Sequence, residues 1–207
     1  ARGEPGSRRR PGVSRPRVER RRAPPEALAA LRAAGVDPLL ARIYAARGVS
    51  DATALARGLE HLPDPEGFPG LDAAATRLLE ARDAGERICV VGDYDADGAT
   101  GTALAVRGLR GLGFPAVTFR VPDRFAHGYG LSPAIVADLV AADRPDLIVT
   151  VDNGIASVEG VAAARAAGVE VVITDHHLPP AVLPAAAAIT NPRLDPASPF
   201  VELAGVG

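Results

Sequence analysis

Methionine, tryptophan and lysine are all missing from this 207-residue chain, and cysteine occurs once. A single cysteine, Cys89, cannot close an internal disulfide, which excludes a disulfide-stapled secreted scaffold and points to a reducing compartment. No apolar run reaches the roughly 18 residues of a membrane span. No secretory-leader pattern is visible either. A cytoplasmic protein with no membrane contact is therefore expected. Because methionine is absent and the sequence stops at L-A-G-V-G in mid-pattern, the chain is expected to be a fragment of a longer protein. With no lysine, every basic residue is arginine. Together with the alanine and glycine richness, this reads as coding bias rather than selection for guanidinium chemistry.

What is present suffices for one good core, since 47% of the residues are hydrophobic. The formal charge of −2 hides an asymmetry. Residues 1–22 hold nine Arg against two Glu, a net of +7, and the rest holds fourteen Arg against twenty-three acids, a net of −9. Residues 1–25 lack apolar periodicity and are broken by Pro5, Pro11, Pro16, Pro24 and Pro25, so a disordered leader is expected there. Such a tail can meet phosphates, although a solvated leader without function is the simpler reading.

Residues 26–84 read as a helical segment. Helices are expected over 26–34, ending at Gly35, and over 38–47, with Leu39, Leu40 and Ile43 inward. A third is expected after Ser50 as N-cap, with Ala52, Leu55 and Leu59 inward, and a fourth over 71–83. From residue 85 the rhythm alternates. Strands are expected at 88–91, 116–121, 147–151, 169–174 and 187–190, with helices at 99–111, 133–142 and 157–167. This pattern specifies the α/β class, a parallel sheet flanked by helices on both faces.

In such sheets the site forms at the carboxyl ends of the strands. After the first strand comes Gly92-Asp93-Tyr94-Asp95-Ala96-Asp97-Gly98. After the third comes Asp152-Asn153-Gly154, and after the fourth Asp175-His176-His177. One Asp after a strand is usually a turn residue or helix cap. Three clusters at one sheet edge are much harder to explain that way. Carboxylates packed so closely repel, and a hard divalent cation such as Mg²⁺ or Mn²⁺ removes the conflict. An EF-hand is excluded, because its twelfth position would be Leu104 and the run follows a strand. A phosphate loop fails for want of Gly-Lys-Ser/Thr, and G-x-G-x-x-G does not follow the first strand.

G-D-Y-D-A-D-G, V-D-N-G and D-H-H resemble the first three motifs of the DHH phosphoesterases. Within them, V-P-D-R-F-A-H-G-Y-G-L-S at 121–132, N-P-R-L-D and F-V-E-L-A-G-V-G are similar to the RecJ-type exonucleases specific for single-stranded DNA. The likeness covers residues 26–207. It implies a DHH catalytic domain over 85–207, truncated at its C-terminal end, and a two-metal centre for Mn²⁺ or Mg²⁺. In that resemblance Asp95 and Asp97 each ligate one metal, Asp152 bridges, and His176 completes a shell. Asp93 is a ligand or an acceptor behind one, and His177 faces the scissile phosphate. A fourth acidic motif is expected beyond Gly207 and is not equated with Asp195. Arg124 and Tyr129 are candidate substrate contacts, with surface pairing and packing as their ordinary alternatives.

The implied activity is 5′→3′ hydrolysis of single-stranded DNA in repair and recombination. A strand with a 5′ end is the expected partner, and a single-strand-binding protein or helicase are candidate protein partners. An oligoribonuclease or cyclic-dinucleotide phosphodiesterase is the near alternative. A non-catalytic scaffold is the distant one, although such a protein should have lost its ligands. The fragment alone is expected to bind metal weakly and to be almost inactive.

Overall fold

The structure is a computed structural model that describes residues 19–56, 58–123, 125 and 127–207. The leader up to residue 18, and the candidate contact Arg124, lie outside the described residues. Two compact units divide between Pro63 and Asp64. The change of sequence rhythm puts the boundary at 84/85 instead, because residues 71–84 look like the helices before them.

The first unit opens with α1 (Pro25–Ala33) and α2 (Pro38–Ala45), each with proline in its first turn, where the missing N–H costs nothing. Asp37 caps α2 by accepting from the Leu39 and Leu40 N–H groups. Ala41 and Ala45, four residues apart, face Ala27 and Leu31 of α1. Leu39 and Leu40, expected inward, are exposed. The expected third helix is a single 3-10 turn, Ala52–Leu55, capped by Asp51 rather than Ser50.

The second unit is a five-stranded, wholly parallel sheet of order β2-β1-β3-β4-β5. The strands are β1 (Arg87–Val91), β2 (Ala116–Arg120), β3 (Leu147–Val151), β4 (Glu170–Thr174) and β5 (Ala188–Thr190). Four helices serve it: α3 (Leu71–Ala84), α4 (Ala96–Gly111), α5 (Pro133–Ala142) and α6 (Val158–Ala166).

Alternation along the strands sorts the core into two layers. Ile88, Val90, Leu147, Val149 and Val151 pack with Ala74 and Ala81 of α3 and Val106 and Leu109 of α4. Cys89, Val91, Ile148, Val171 and Ile173 face the other way, onto Ile135, Val136 and Leu139 of α5 and Val161 and Ala164 of α6. So α3 is part of the sheet's own core. The chain leaves β1 in one direction to form β2 and returns past β1 to form β3. The order therefore reverses between β1 and β3, the switch point at which open α/β sheets hold their ligands.

Candidate metal centre

Every strand-end acid expected from the sequence lies at that edge. The loop after β1 turns at once into α4, which starts at Ala96 rather than Ala99. Asp95 is its N-cap, with Oδ1 accepting from the Gly98 N–H at 2.9 Å, and Asp97 sits in the first turn. Asp93 is buried, with Oδ1 accepting from the Tyr94 N–H at 2.7 Å. Gly98 is needed here, since a Cβ would press on the Asp93 backbone and side chain.

Asp152 follows β3 with φ of 62°, a left-handed conformation that costs a non-glycine residue of order 1–3 kcal/mol. It is 2% exposed. His176 Nε2 lies 2.9 Å from its Oδ1 but out of hydrogen-bond alignment, so among the described residues that oxygen is buried without a donor. On its other side the same His176 nitrogen is 3.8 Å from Asp97 Oδ2. Burial first, and then the charge of Asp97, push the Asp152 carboxyl up to about 6.

Ligand atoms converge in two groups. Asp93, Asp95 and Asp152 form one; Asp152, His176 and His177 form the other. Asp152 belongs to both, the position a bridging ligand requires. Among the described residues no arginine forms an ion pair with Asp93, Asp95, Asp97, Asp152 or Asp175. Among the described residues, buried carboxylates without an arginine partner, an orphaned Asp152 oxygen and an all-oxygen-and-imidazole donor set fit divalent Mn²⁺ or Mg²⁺.

Behind the centre stands a second set of residues. Asp175 Oδ1 accepts from the His176 and His177 N–H groups at 2.7 and 3.1 Å, and contacts His177 Nδ1 at 2.7 Å. Its Oδ2 accepts from the Ile155 N–H. A carboxylate on Nδ1 selects the tautomer whose Nε2 lone pair is free. The Asn191 side chain donates to the His177 carbonyl and Arg193 Nε to that of His176, so the N-P-R segment anchors the D-H-H backbone. Asn153 is fully buried and donates to the Val91 and Val151 carbonyls, tying the ends of β1 and β3 together. Sequence reading counted Asp175 only among the acids converging on the edge and assigned Asn191 and Arg193 no task. Their signal lay in the motifs themselves, but a hydrogen-bond partner cannot be read from a motif. Asp195 makes a local turn by accepting from the Ala197 N–H.

Tyr129 sets its ring edge-on to His177, with centroids 5.9 Å apart. Its hydroxyl donates to the Asp152 carbonyl at 3.3 Å and lies 3.3 Å from His177 Nδ1. Burial first, then the surrounding Asp175, Asp93, Asp152 and Asp95 charges, raise its pKa, so the hydroxyl stays a donor. A cleft of about 720 Å³ opens beside it, with Asp93, Asp95, Asp175 and His177 on its floor and Tyr94 and Leu178 among its walls.

A family model described as the DHH family, N-terminal domain, matches residues 87–207. The single-stranded-DNA-specific exonuclease RecJ of Salmonella typhimurium is 51% identical over 175 residues, 84% of this chain and 30% of that protein. RecJ of Escherichia coli is 50% identical over 175 residues, with the same coverage of 84% and 30%. Among solved structures, Thermus thermophilus RecJ in complex with Mn²⁺ superimposes with a TM-score of 0.62 at 36% identity, over 89% of this chain and 26% of that one. This chain thus spans about 30% of the length of the curated relatives it matches.

Proposed function

The chain belongs to the DHH family, and on that premise we propose that it is the catalytic portion of a metal-dependent 5′→3′ exonuclease on single-stranded DNA, acting in DNA repair and recombination. One observation carries the chemistry: Asp152, at the switch point of the sheet, is shared by two groups of converging ligand atoms. The names of the relatives and the Mn²⁺ complex among them support the substrate and the ion.

Asp93, Asp95 and Asp152 would hold one Mn²⁺ or Mg²⁺, and Asp152, His176 and His177 a second, with Asp97 adjoining through His176. Two such ions lower the pKa of a shared water and neutralise charge on a phosphodiester. The protein's own part is placement. Asp175 fixes the His177 ring through Nδ1, leaving Nε2, 3.4 Å from the Tyr129 hydroxyl, as the nitrogen that would meet the ion. The Tyr129 hydroxyl donates to the Asp152 carbonyl, and its ring stands edge-on to His177, which braces the same side. Tyr94, Tyr129 and Leu178, partly exposed at the cleft, give bases a surface to stack on. A single-strand-binding protein or a helicase would supply such strands, and a cytoplasmic setting suits that work.

The test uses the full reading frame that carries this segment. With Mn²⁺ it should release mononucleotides from the 5′ end of single-stranded DNA faster than from duplex, from the 3′ end or from dinucleotides. Asp152→Ala should abolish release. A preference for dinucleotides would transfer the protein to the oligonucleotide-degrading branch. Unchanged release by the variant would overturn the mechanism.

A further inference from the structure

The acidic edge has one neighbour that no ligand motif predicts. Residues 203–207, L-A-G-V-G, fold over the first turn of α4. The Gly205 N–H donates to Asp97 Oδ2 at 2.8 Å and the Val206 N–H to Oδ1 at 2.8 Å. Both carboxylate oxygens of Asp97 are thus gripped by consecutive backbone amides more than a hundred residues away in sequence. The same turn closes on Asp152, since a Cβ on Gly205 would collide with Asp152 Oδ1, Cγ and Cβ. That Oδ1 is the buried oxygen without a donor. Gly101, one turn along α4, leaves its room to the Val151 side chain, with Val206 Cα at ordinary contact distance, 3.7 Å from where a Cβ would be.

We propose that the Gly205–Val206 turn is a positioning device for the metal centre, a backbone clamp that fixes the Asp97 carboxylate against His176 and leaves the Asp152 oxygen room to take a cation. Three features carry it. Two amide donors on one carboxylate leave a lone pair on each oxygen while removing the side chain's rotational freedom. Amides are neutral, so they orient Asp97 without cancelling its charge, as an arginine would. Glycine at 205 is a matter of space rather than backbone conformation, because its φ is not in the left-handed region. Any side chain there would occupy the volume in front of Asp152.

The inference rests on the metal-centre reading, and the experiment separates the two. Mn²⁺ binding is followed by electron paramagnetic resonance of the free ion, alongside circular dichroism and melting in metal-free buffer. The unsubstituted chain should bind Mn²⁺ and Asp152→Ala should not; failure of that contrast overturns the metal centre and the clamp with it. Given the contrast, Gly205→Ala should weaken Mn²⁺ binding by about tenfold or more, the scale seen when partners behind a ligand are removed. Should Gly205→Ala fold poorly, Val206 supplies the second arm. Val206→Pro deletes one amide donor and should weaken binding. Val206→Ala keeps that donor and should bind as the parent does. Equal Mn²⁺ affinity in the parent, Gly205→Ala and Val206→Pro would overturn the clamp while leaving the centre standing. So would equal losses in Val206→Pro and Val206→Ala.

Discussion

Asp152 combines a positive φ, near-complete burial and a carboxylate oxygen without a donor. Each is costly alone, and together they make the residue a poor contributor to the metal-free fold. Its folded pKa of about 6 exceeds the ordinary value of roughly 3.9. Between those two values the folded state holds the extra proton, so stability falls as pH rises through that window. Metal-free melting curves taken across it should therefore show Asp152→Asn gaining on the parent as pH increases, with little difference at the acid end. Parallel curves would contradict the assignment. Asp175 has the opposite character, for every oxygen it offers is used. Asp175→Asn leaves a similar shape but loses the charge that orients His177. In the full reading frame it should lower turnover by about tenfold or more, with the apparent KM little changed. A loss confined to KM would show that Asp175 serves binding instead.

Strand β3 is the element on which the fold and the centre both depend. It lies between β1 and β4, all five of its residues are buried, and it delivers Asp152. Ile148, fully buried among Cys89, Ile135 and Val171, marks its packing. Ile148→Ala should cost about 2–5 kcal/mol in urea unfolding, the range for large-to-small changes in a core. Asn153 guards the end of the same strand. Asn153→Ala would strand the Val91 and Val151 carbonyls in a buried place, at a cost of about 1–3 kcal/mol. Its effect on Mn²⁺ affinity should be larger than that of Ile148→Ala, because it loosens β1 from β3 where the ligands meet. The reverse ranking would argue that Asn153 only closes a turn.

At the scale of the whole molecule, charge separates the leader from the rest. Residues 23–207 carry a net of −9, and the carboxylates gather at the edge where DNA would bind. A polyanion approaching that edge meets repulsion until cations occupy it. In a chain lacking residues 1–22, binding of single-stranded DNA in a fluorescence-anisotropy titration should be negligible with chelator and appear on adding Mn²⁺. Binding that ignores Mn²⁺ would place the DNA on another surface. If residues 1–22 touch phosphates, restoring them should steepen the salt dependence of binding, since each released counterion adds to the slope.

Much of this molecule could be read directly from its residues. Short β-branched runs alternating with capped helices specified a parallel sheet covered on both faces, because burial on each side leaves no polar alternation. Acids following three separate strands marked one sheet edge as the candidate cation centre. Other features depended on the folded chain. The buried face of α2 followed from its packing on Ala27 and Leu31 of α1, which took Ala41 and Ala45 and left Leu39 and Leu40 outside. The place of α3 followed from Ala74 and Ala81 fitting under the sheet, since small residues carry little periodic signal. The tasks of Asp175, Asn191 and Arg193 are hydrogen bonds, whose partners depend on which loops meet. The 2-1-3-4-5 order brought Asp93 and Asp95 beside Asp152, and the return of residues 203–207 set two amides on Asp97. Sequence determines which groups can ligate a cation, because that is a property of side-chain chemistry. Only the tertiary structure decides which of them share an oxygen, because that depends on distances between strands remote in the chain.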